Sequence, residues 1–260
     1  MSSKPPRHPL PILAMPISGN DPMAENLFEQ RVMPAWPYRP GADVAETPPP
    51  GLIHAQALAK GAIEAGFAKI RPSVTEQDID LAVSGFLRAN DVEHVWTITN
   101  VGLGENTKIC FPTKHPSNLK AAERDVLMLD VHPITTVGFW GDCTRCKVIG
   151  DYPEADQALA DLERIHRETL SFCRPGMMAS ELFAISHEKL VSEGFVLLDQ
   201  LGNIGHSLAP GAAYLHNFID AGNDSPMWGA WAIEPFAARD DIAVKVEDLV
   251  WFGRHVCTVL

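Results

Sequence analysis

From Leu52 the chain carries apolar residues at spacings of three and four through LIHAQALAKGAIEAGFAKI, and the run stops at Arg71-Pro72. That spacing predicts a helix with one buried stripe, ended where proline removes a backbone donor. A second helix is expected from Thr75 to about Arg88, with Thr75 as N-cap and Asp78, three residues on, as its capping-box partner. The segment HVWTITNVGLG that follows reads as a strand and turn. About one hundred residues later the pattern returns. ALADLERIHRETLSFCRPGMMASELFAISHEKLVSEGF reads as a helix, an Arg174-Pro175 turn, a capped helix starting near Ser180 and a stop at Gly194, before the strand FVLLD. This period is too long for a solenoid. It predicts two equivalent halves, hence an α+β domain with a pseudo-twofold axis and a site between the halves.

Residues 1 to about 50 break the pattern: they hold twelve of the 21 prolines and end in TPPPG, which forbids regular structure over most of the stretch. We read 1–51 as an arm, with Phe28, Trp36 and Tyr38 to anchor it to its own body or a partner subunit, and 52–260 as the domain. With 46% hydrophobic residues in 260, the chain has ample material for a core. Its 33 acidic against 21 basic residues, a net charge of -12, leave no basic patch for a polyphosphate backbone, so nucleic acid is not an expected partner. The opening MSSKPPRHPLPILAMP is interrupted by proline and too short for a signal-peptide core, and no run approaches the roughly eighteen apolar residues of a membrane helix. A soluble, cytoplasmic protein is expected. Cys110, Cys143, Cys146, Cys173 and Cys257 show no disulfide framework. Cys143 and Cys146 form a CxxC, but strand alternation sends them to opposite faces, which favours ordinary packing over a zinc or redox role.

Candidate chemistry lies in LDVHPITTVGFWGDCTRCKVIG, where Asp130 and Asp142 sit twelve positions apart in an apolar, β-branched setting. A buried carboxylate is costly unless something pairs with it. A turn around Thr135, Thr136 and Gly138 makes the stretch a hairpin that brings the two acids face to face, and facing carboxylates repel unless a proton or cation lies between them. The competing reading is a hydrogen-bonded structural pair. Downstream, LGNIGHSLAPG puts His206 in a glycine-rich turn, GAWAIEPFAA puts Glu234 in a strand, and VKVEDLVWF puts Glu247 in another. Singly, such residues are core histidines or solvent-facing acids. Together, four carboxylates and one imidazole in β contexts suit two divalent first-row ions with shared carboxylate bridges.

These pieces, in the order Asp, Asp, His, Glu, Glu and combined with the duplicated halves, resemble the methionine aminopeptidase/prolidase/creatinase family, the M24 "pita-bread" metallopeptidases, over about residues 52–260. The resemblance implies a pita-bread fold around a central antiparallel sheet. It implies two divalent ions (Mn, Fe, Co or Zn) on Asp130, Asp142, His206, Glu234 and Glu247, with Asp142 and Glu247 bridging and Glu234 also shuttling the proton. The implied reaction is hydrolysis of an amide bond in a small peptide, by a water activated between the ions, in a homodimer without membrane partners. The N-terminal domain of prolidases and creatinases has no counterpart in this sequence, which is the expectation for a stand-alone aminopeptidase. Arg145 matches the family's Thr-Arg pair and is expected to fix a ligand carboxylate, against the reading of a surface arginine. His115 in CFPTKHPSNL and His216 in AAYLHNF stand near the family's further catalytic histidines, at shifted spacings; an exposed loop histidine is the other reading of His115. His132, two residues beyond Asp130 and on the same strand face, departs from the family pattern. It is a sixth ligand, a proton donor, a steric limit on substrate, or a ring stacked on Trp140. These departures keep open an alternative, the same metal site acting on a non-peptide metabolite as a lyase or amidohydrolase. A non-catalytic binding module is a third reading, and retention of all five ligand residues counts against it.

Overall fold

The two helix pairs form where the apolar spacing places them. Proline is well tolerated in a first helical turn, and Pro50 opens α1 (Pro50–Phe67). The second helix, α2 (Glu76–Ala89), begins at the expected capping box: the Thr75 hydroxyl accepts the Asp78 N–H, and the Asp78 carboxylate accepts the Thr75 N–H, each at 3.1 Å. The computed structural model describes residues 44–110, 113–208 and 217–260, together with the short strand β1 (Met15–Pro16). Phe28, Trp36 and Tyr38, the proposed anchors of the arm, lie outside the described residues. The first half continues with β2 (His94–Val95), β3 (Asn100–Leu103), β4 (Asp125–Val131), β5 (Pro133–Ile134) and β6 (Cys143–Ile149). The second contains α3 (Pro153–Ser171), α4 (Ala179–Ser192), β7 (Val196–Leu197), β8 (Gly205–Ser207), β9 (Gly229–Ile233), β10 (Phe236–Arg239), β11 (Ile242–Lys245), β12 (Asp248–Phe252) and β13 (Cys257–Val259).

The duplication is visible atom by atom. Positions 103 apart play the same part in each half: Ser73 and Gly176 after the Arg-Pro turns have φ of 63° and 69°, and Asp91 and Gly194 after the second helices have φ of 60° and 79°. Thr75 and Met178 each make an isolated bridge to a later strand-like segment, at Lys120 and Pro226. Glu181 accepts the Met178 N–H at 3.1 Å, as Asp78 accepts that of Thr75.

Among the described residues all strand pairings are antiparallel, in four sets: β1-β2-β5, β3-β4-β6, β7-β10-β11 and β8-β9-β12-β13. The central sheet is thus interrupted, and the interruption is informative. Ile233 pairs with Asp248 in β9–β12 and Phe236 with Lys245 in β10–β11, so one hairpin register runs through both sets and sets Glu234 opposite Glu247. Pro235 cannot donate to a ladder, so the hairpin kinks there and its halves join different sets. Glu234 and Glu247 therefore sit at strand junctions, not inside strands as the sequence suggested. Conversely, His206 lies within β8 where a turn was expected.

Strand β4 is buried on both faces, with Leu127, Leu129 and Val131 packed in the cluster under α1 and α2, and Val126 and Met128 in the cluster under α3. The next side chains on the Val126 and Met128 face are Asp130 and His132, so the inner face changes from apolar to polar where the site begins. Cys143 packs with the first cluster and Cys146 with the second, all five cysteines are free, and burial pushes both of these thiols up to about 12. That is the packing expected of an inert pair. Among the described residues no helix is long and apolar enough to cross a membrane.

Candidate metal centre

Strand register delivers the side chains. In β4–β6, Asp130 pairs with Thr144 and Val131 with Cys143, and the same register continued sets His132 opposite Asp142. In β8–β9, His206 pairs with Ala232, two residues before Glu234. Gly205 allows this approach: its φ is 146°, and a Cβ there would lie 2.1 Å from the Ala232 carbonyl oxygen. The outcome is one buried cluster. His206 Nε2 lies 3.6 Å from Asp142 Oδ2 and 3.3 Å from Glu234 Oε1, and His132 Nε2 lies 2.9 Å from Asp130 Oδ1 and 3.6 Å from Asp142 Oδ1. The aromatic ring beside His132 is Trp96, edge-on at 4.7 Å, with Trp140 stacked on Trp96 at 5.7 Å, so the suggested stack on Trp140 is replaced by contact with its neighbour.

Lys245 completes the cluster and was missed in the sequence. Its Nζ lies 2.9 Å from Asp130 Oδ2, 2.5 Å from Glu234 Oε2 and 3.7 Å from Glu247 Oε2. Burial works against the ammonium, yet Asp130, Cys110, Glu234 and Glu247 around it hold its proton well above the ordinary lysine range. The signal was available: two residues before Glu247, Lys245 approaches from the same side of the chain.

The electrostatics describe a site that wants more positive charge. Burial pushes the Asp142 carboxyl well above its usual range, with the negative Glu247, Asp130 and Glu234 adding to the effect. Burial likewise raises Glu247, to about 8, despite Lys245. At Asp130 burial is outweighed by His132 and Lys245, and the carboxyl is held low. Burial holds the His206 imidazole below its usual range, despite the nearby Glu234 carboxylate. Asp130 Oδ1, Asp142 Oδ2 and Glu247 Oε1 are buried without a hydrogen-bond partner among the described residues. Buried polar atoms are nearly always hydrogen-bonded, and three orphaned carboxylate oxygens in one cluster fit divalent cations. Asp130, His132 and Asp142 alone offer one ligand atom each, all within 4.8 Å of one another.

Supporting contacts hold these groups in place. Thr144 donates its hydroxyl to Glu247 Oε2 at 2.6 Å. Arg145 donates to the Glu247 carbonyl oxygen and, at 2.5 Å, to Asp248, which also faces His166 at 3.0 Å. Arg145 is thus neither a surface residue nor a clamp on a cluster carboxylate; it fixes the backbone from which Glu247 projects. Gln56 on α1 pairs both ends of its amide with Asp142, accepting its N–H at 2.9 Å and donating to its carbonyl at 2.8 Å. A glutamine on the buried face that carries Leu52, Ala55 and Ala59 was the legible sign of that role.

Among the described residues, His115 has no contact with the cluster. His115 is exposed and lines a cavity of about 380 Å³ with Glu76, Asn100, Asn106, Lys114 and Ser117. His216 lies outside the described residues.

Fold and cluster together define a class: a duplicated α+β domain with carboxylates and imidazoles gathered between its halves. Residues 51–251 match the sequence profile of metallopeptidase family M24, and the chain belongs to that family. It is 27% identical over 95 residues to a methionine aminopeptidase from Chlamydia pneumoniae, a match covering 36% of this chain and 31% of the relative. Among solved structures it resembles dipeptidase PepE from Mycobacterium ulcerans (TM-score 0.67, 23% identity, 82% of this chain and 58% of that one). It also resembles prolidase from Pyrococcus furiosus (TM-score 0.70, 18% identity, 82% of this chain and 64% of that one). These structures establish the pita-bread fold. The chain spans less than two thirds of the length of each of these relatives.

Proposed function

We propose that the protein is a dinuclear metal-dependent hydrolase that cleaves an amide bond in a small peptide, in the manner of an aminopeptidase or Xaa-Pro peptidase. The observation that supports this most directly is the set of three buried carboxylates, each with one oxygen lacking a partner. Asp130, Asp142, His206, Glu234 and Glu247 would hold the ions, and divalent ions at such a site polarise the scissile carbonyl and lower the pKa of water. The chain's own groups do the rest. Glu234, with 15% of its side chain exposed against 4% or less for Asp130, Asp142 and Glu247, is the carboxylate most open to substrate and the one placed to take and return a proton at Oε1. Lys245 holds the other Glu234 oxygen, which fixes the orientation of the carboxylate. Trp96 and Trp140 wall the cluster and keep water from its His132 side. Residues 52–260 form the catalytic domain in this reading.

The test is metal content of the purified protein beside Asp142→Ala, followed by amino-acid release from a panel of di- and tripeptides with added Mn, Fe, Co or Zn. About two ions per chain, lost in the variant, with metal-dependent release, is the expected result. A second reading, a non-peptide metabolite as substrate, is favoured by His132 standing inside the cluster beside Trp96; two bound ions with every peptide left intact would select it. A protein that binds no divalent ion would sink both.

A further inference from the structure

We propose that His132 is itself a metal ligand, so that the centre carries two imidazoles, one on each side of Asp142; this rests on the dinuclear reading above. Five residues account for the site without it, and its own geometry is what assigns it.

His132 follows Asp130 on the inward face of the β4–β5 segment and stands opposite Asp142 in the strand register. Its Nε2 lies 2.9 Å from Asp130 Oδ1 and 3.6 Å from Asp142 Oδ1, so one ring nitrogen faces an oxygen of each carboxylate. Three polar atoms at these separations are placed like neighbouring donor atoms on one cation. Ligand bonds of about 2.1 Å put adjacent donor atoms about 3.0 Å apart around an octahedral ion and about 3.4 Å around a tetrahedral one. The 2.9 Å and 3.6 Å separations of His132 Nε2 from Asp130 Oδ1 and Asp142 Oδ1 match that spacing.

A packing role does not account for the ring. The ring is 3% exposed, and its Nε2 faces Asp130 and Asp142 rather than the apolar core. Trp96 meets the ring edge-on at 4.7 Å and meets His206 in the same way at 5.7 Å, so one indole aligns both imidazoles. The symmetry about Asp142 is the further argument. His132 Nε2 is 3.6 Å from its Oδ1 and His206 Nε2 is 3.6 Å from its Oδ2, so each oxygen of the shared carboxylate faces one imidazole. Each ion then receives one nitrogen. A second imidazole shifts the preference of the centre away from oxygen-seeking manganese and towards zinc, cobalt or iron.

The experiment compares chelator-stripped wild type, His132→Ala and His132→Gln by calorimetric titration with Zn(II) and with Mn(II), and by proton NMR of the Co(II)-loaded proteins. Glutamine keeps much of the volume, and a thermal melt of each variant establishes that it is folded. The expected result is two strongly shifted exchangeable imidazole N–H signals in wild type and one in either variant, with His206→Gln assigning the other. Zn(II) affinity is expected to fall at least tenfold in folded His132→Gln and Mn(II) affinity to fall less. Two ions bound by wild type with unchanged affinities and signal count in the variants overturn the assignment and leave the hydrolase reading standing. No binding of either ion by wild type defeats the dinuclear reading, and the assignment with it.

Discussion

At Lys245 a single ammonium group meets Asp130, Glu234 and Glu247 inside the protein, where Lys245, Asp130 and Glu247 are buried and Glu234 is partly so. Removing one partner of a buried ion pair leaves the other uncompensated, and in such cases the loss is about 3–5 kcal/mol. Lys245→Met in the metal-free protein is therefore expected to lower unfolding free energy by about that much in urea titration, and saturating divalent metal is expected to restore a large part of it. Equal stability of variant and wild type without metal would show that the ammonium does not balance the carboxylates. Thr144 acts at a single oxygen of Glu247, and Thr144→Val removes that hydrogen bond at nearly constant volume. Contacts behind a ligand typically contribute about 10–100-fold in metal affinity, and a loss in this range is expected by competitive chelator titration. An unchanged affinity would assign Thr144 to the fold alone.

At the scale of elements, equivalent turns in the two halves solve one backbone problem with different residues. Gly176 has a φ of 69°, and a Cβ there would lie 2.6 Å from the Trp228 ring. Gly176→Ala is expected to destabilise the protein by about 1–2 kcal/mol. Ser73, its counterpart, already carries a side chain at a φ of 63°, so Ser73→Gly is expected to leave the melting temperature unchanged or raise it. Similar losses from both changes would mean that the turns are not equivalent. The cap on α2 gives a second check: Thr75→Ala removes the acceptor for the Asp78 N–H and is expected to cost about 1 kcal/mol in thermal or chemical denaturation. An effect several times larger would place Thr75 in tertiary contacts beyond the helix start.

For the whole molecule, the centre joins both halves of the duplication: Asp130 and Asp142 come from the first, His206, Glu234 and Glu247 from the second. Ions held by all five would tie the halves together, so metal binding is expected to act on global stability. Free metal at 1,000 times its dissociation constant stabilises a one-site folded state by about 4 kcal/mol. A rise in melting temperature that grows with metal concentration and vanishes in Asp142→Ala is the expected result in differential scanning fluorimetry. A melting temperature indifferent to metal would mean that ions bind both folded and unfolded chains, or neither.

The sequence by itself determined the local features and the repeat: α1 and α2 follow from apolar spacing, the Thr75 cap from a four-residue pattern, and the halves from the return of helix, Arg-Pro turn and helix. It also marked Asp130, Asp142, His206, Glu234 and Glu247, because acids and an imidazole in apolar β contexts violate the usual burial pattern. Only the tertiary structure decided which side chains meet. Lys245 and Glu247 share a side through strand alternation, but which carboxylates the ammonium touches depends on a hairpin kinked at Pro235 and on strands more than one hundred residues away. Arg145 reads as a partner for a carboxylate in sequence, and the fold aims it at the Glu247 carbonyl and Asp248. Gln56 looks like one polar residue in a helix until α1 packs against the start of β6 and its amide meets Asp142. His115 has a plausible spacing, but it is exposed and lines a cavity with Glu76 and Asn106. Spacing along a chain fixes which face a residue occupies within an element; distance between elements is set by packing, which no local pattern encodes.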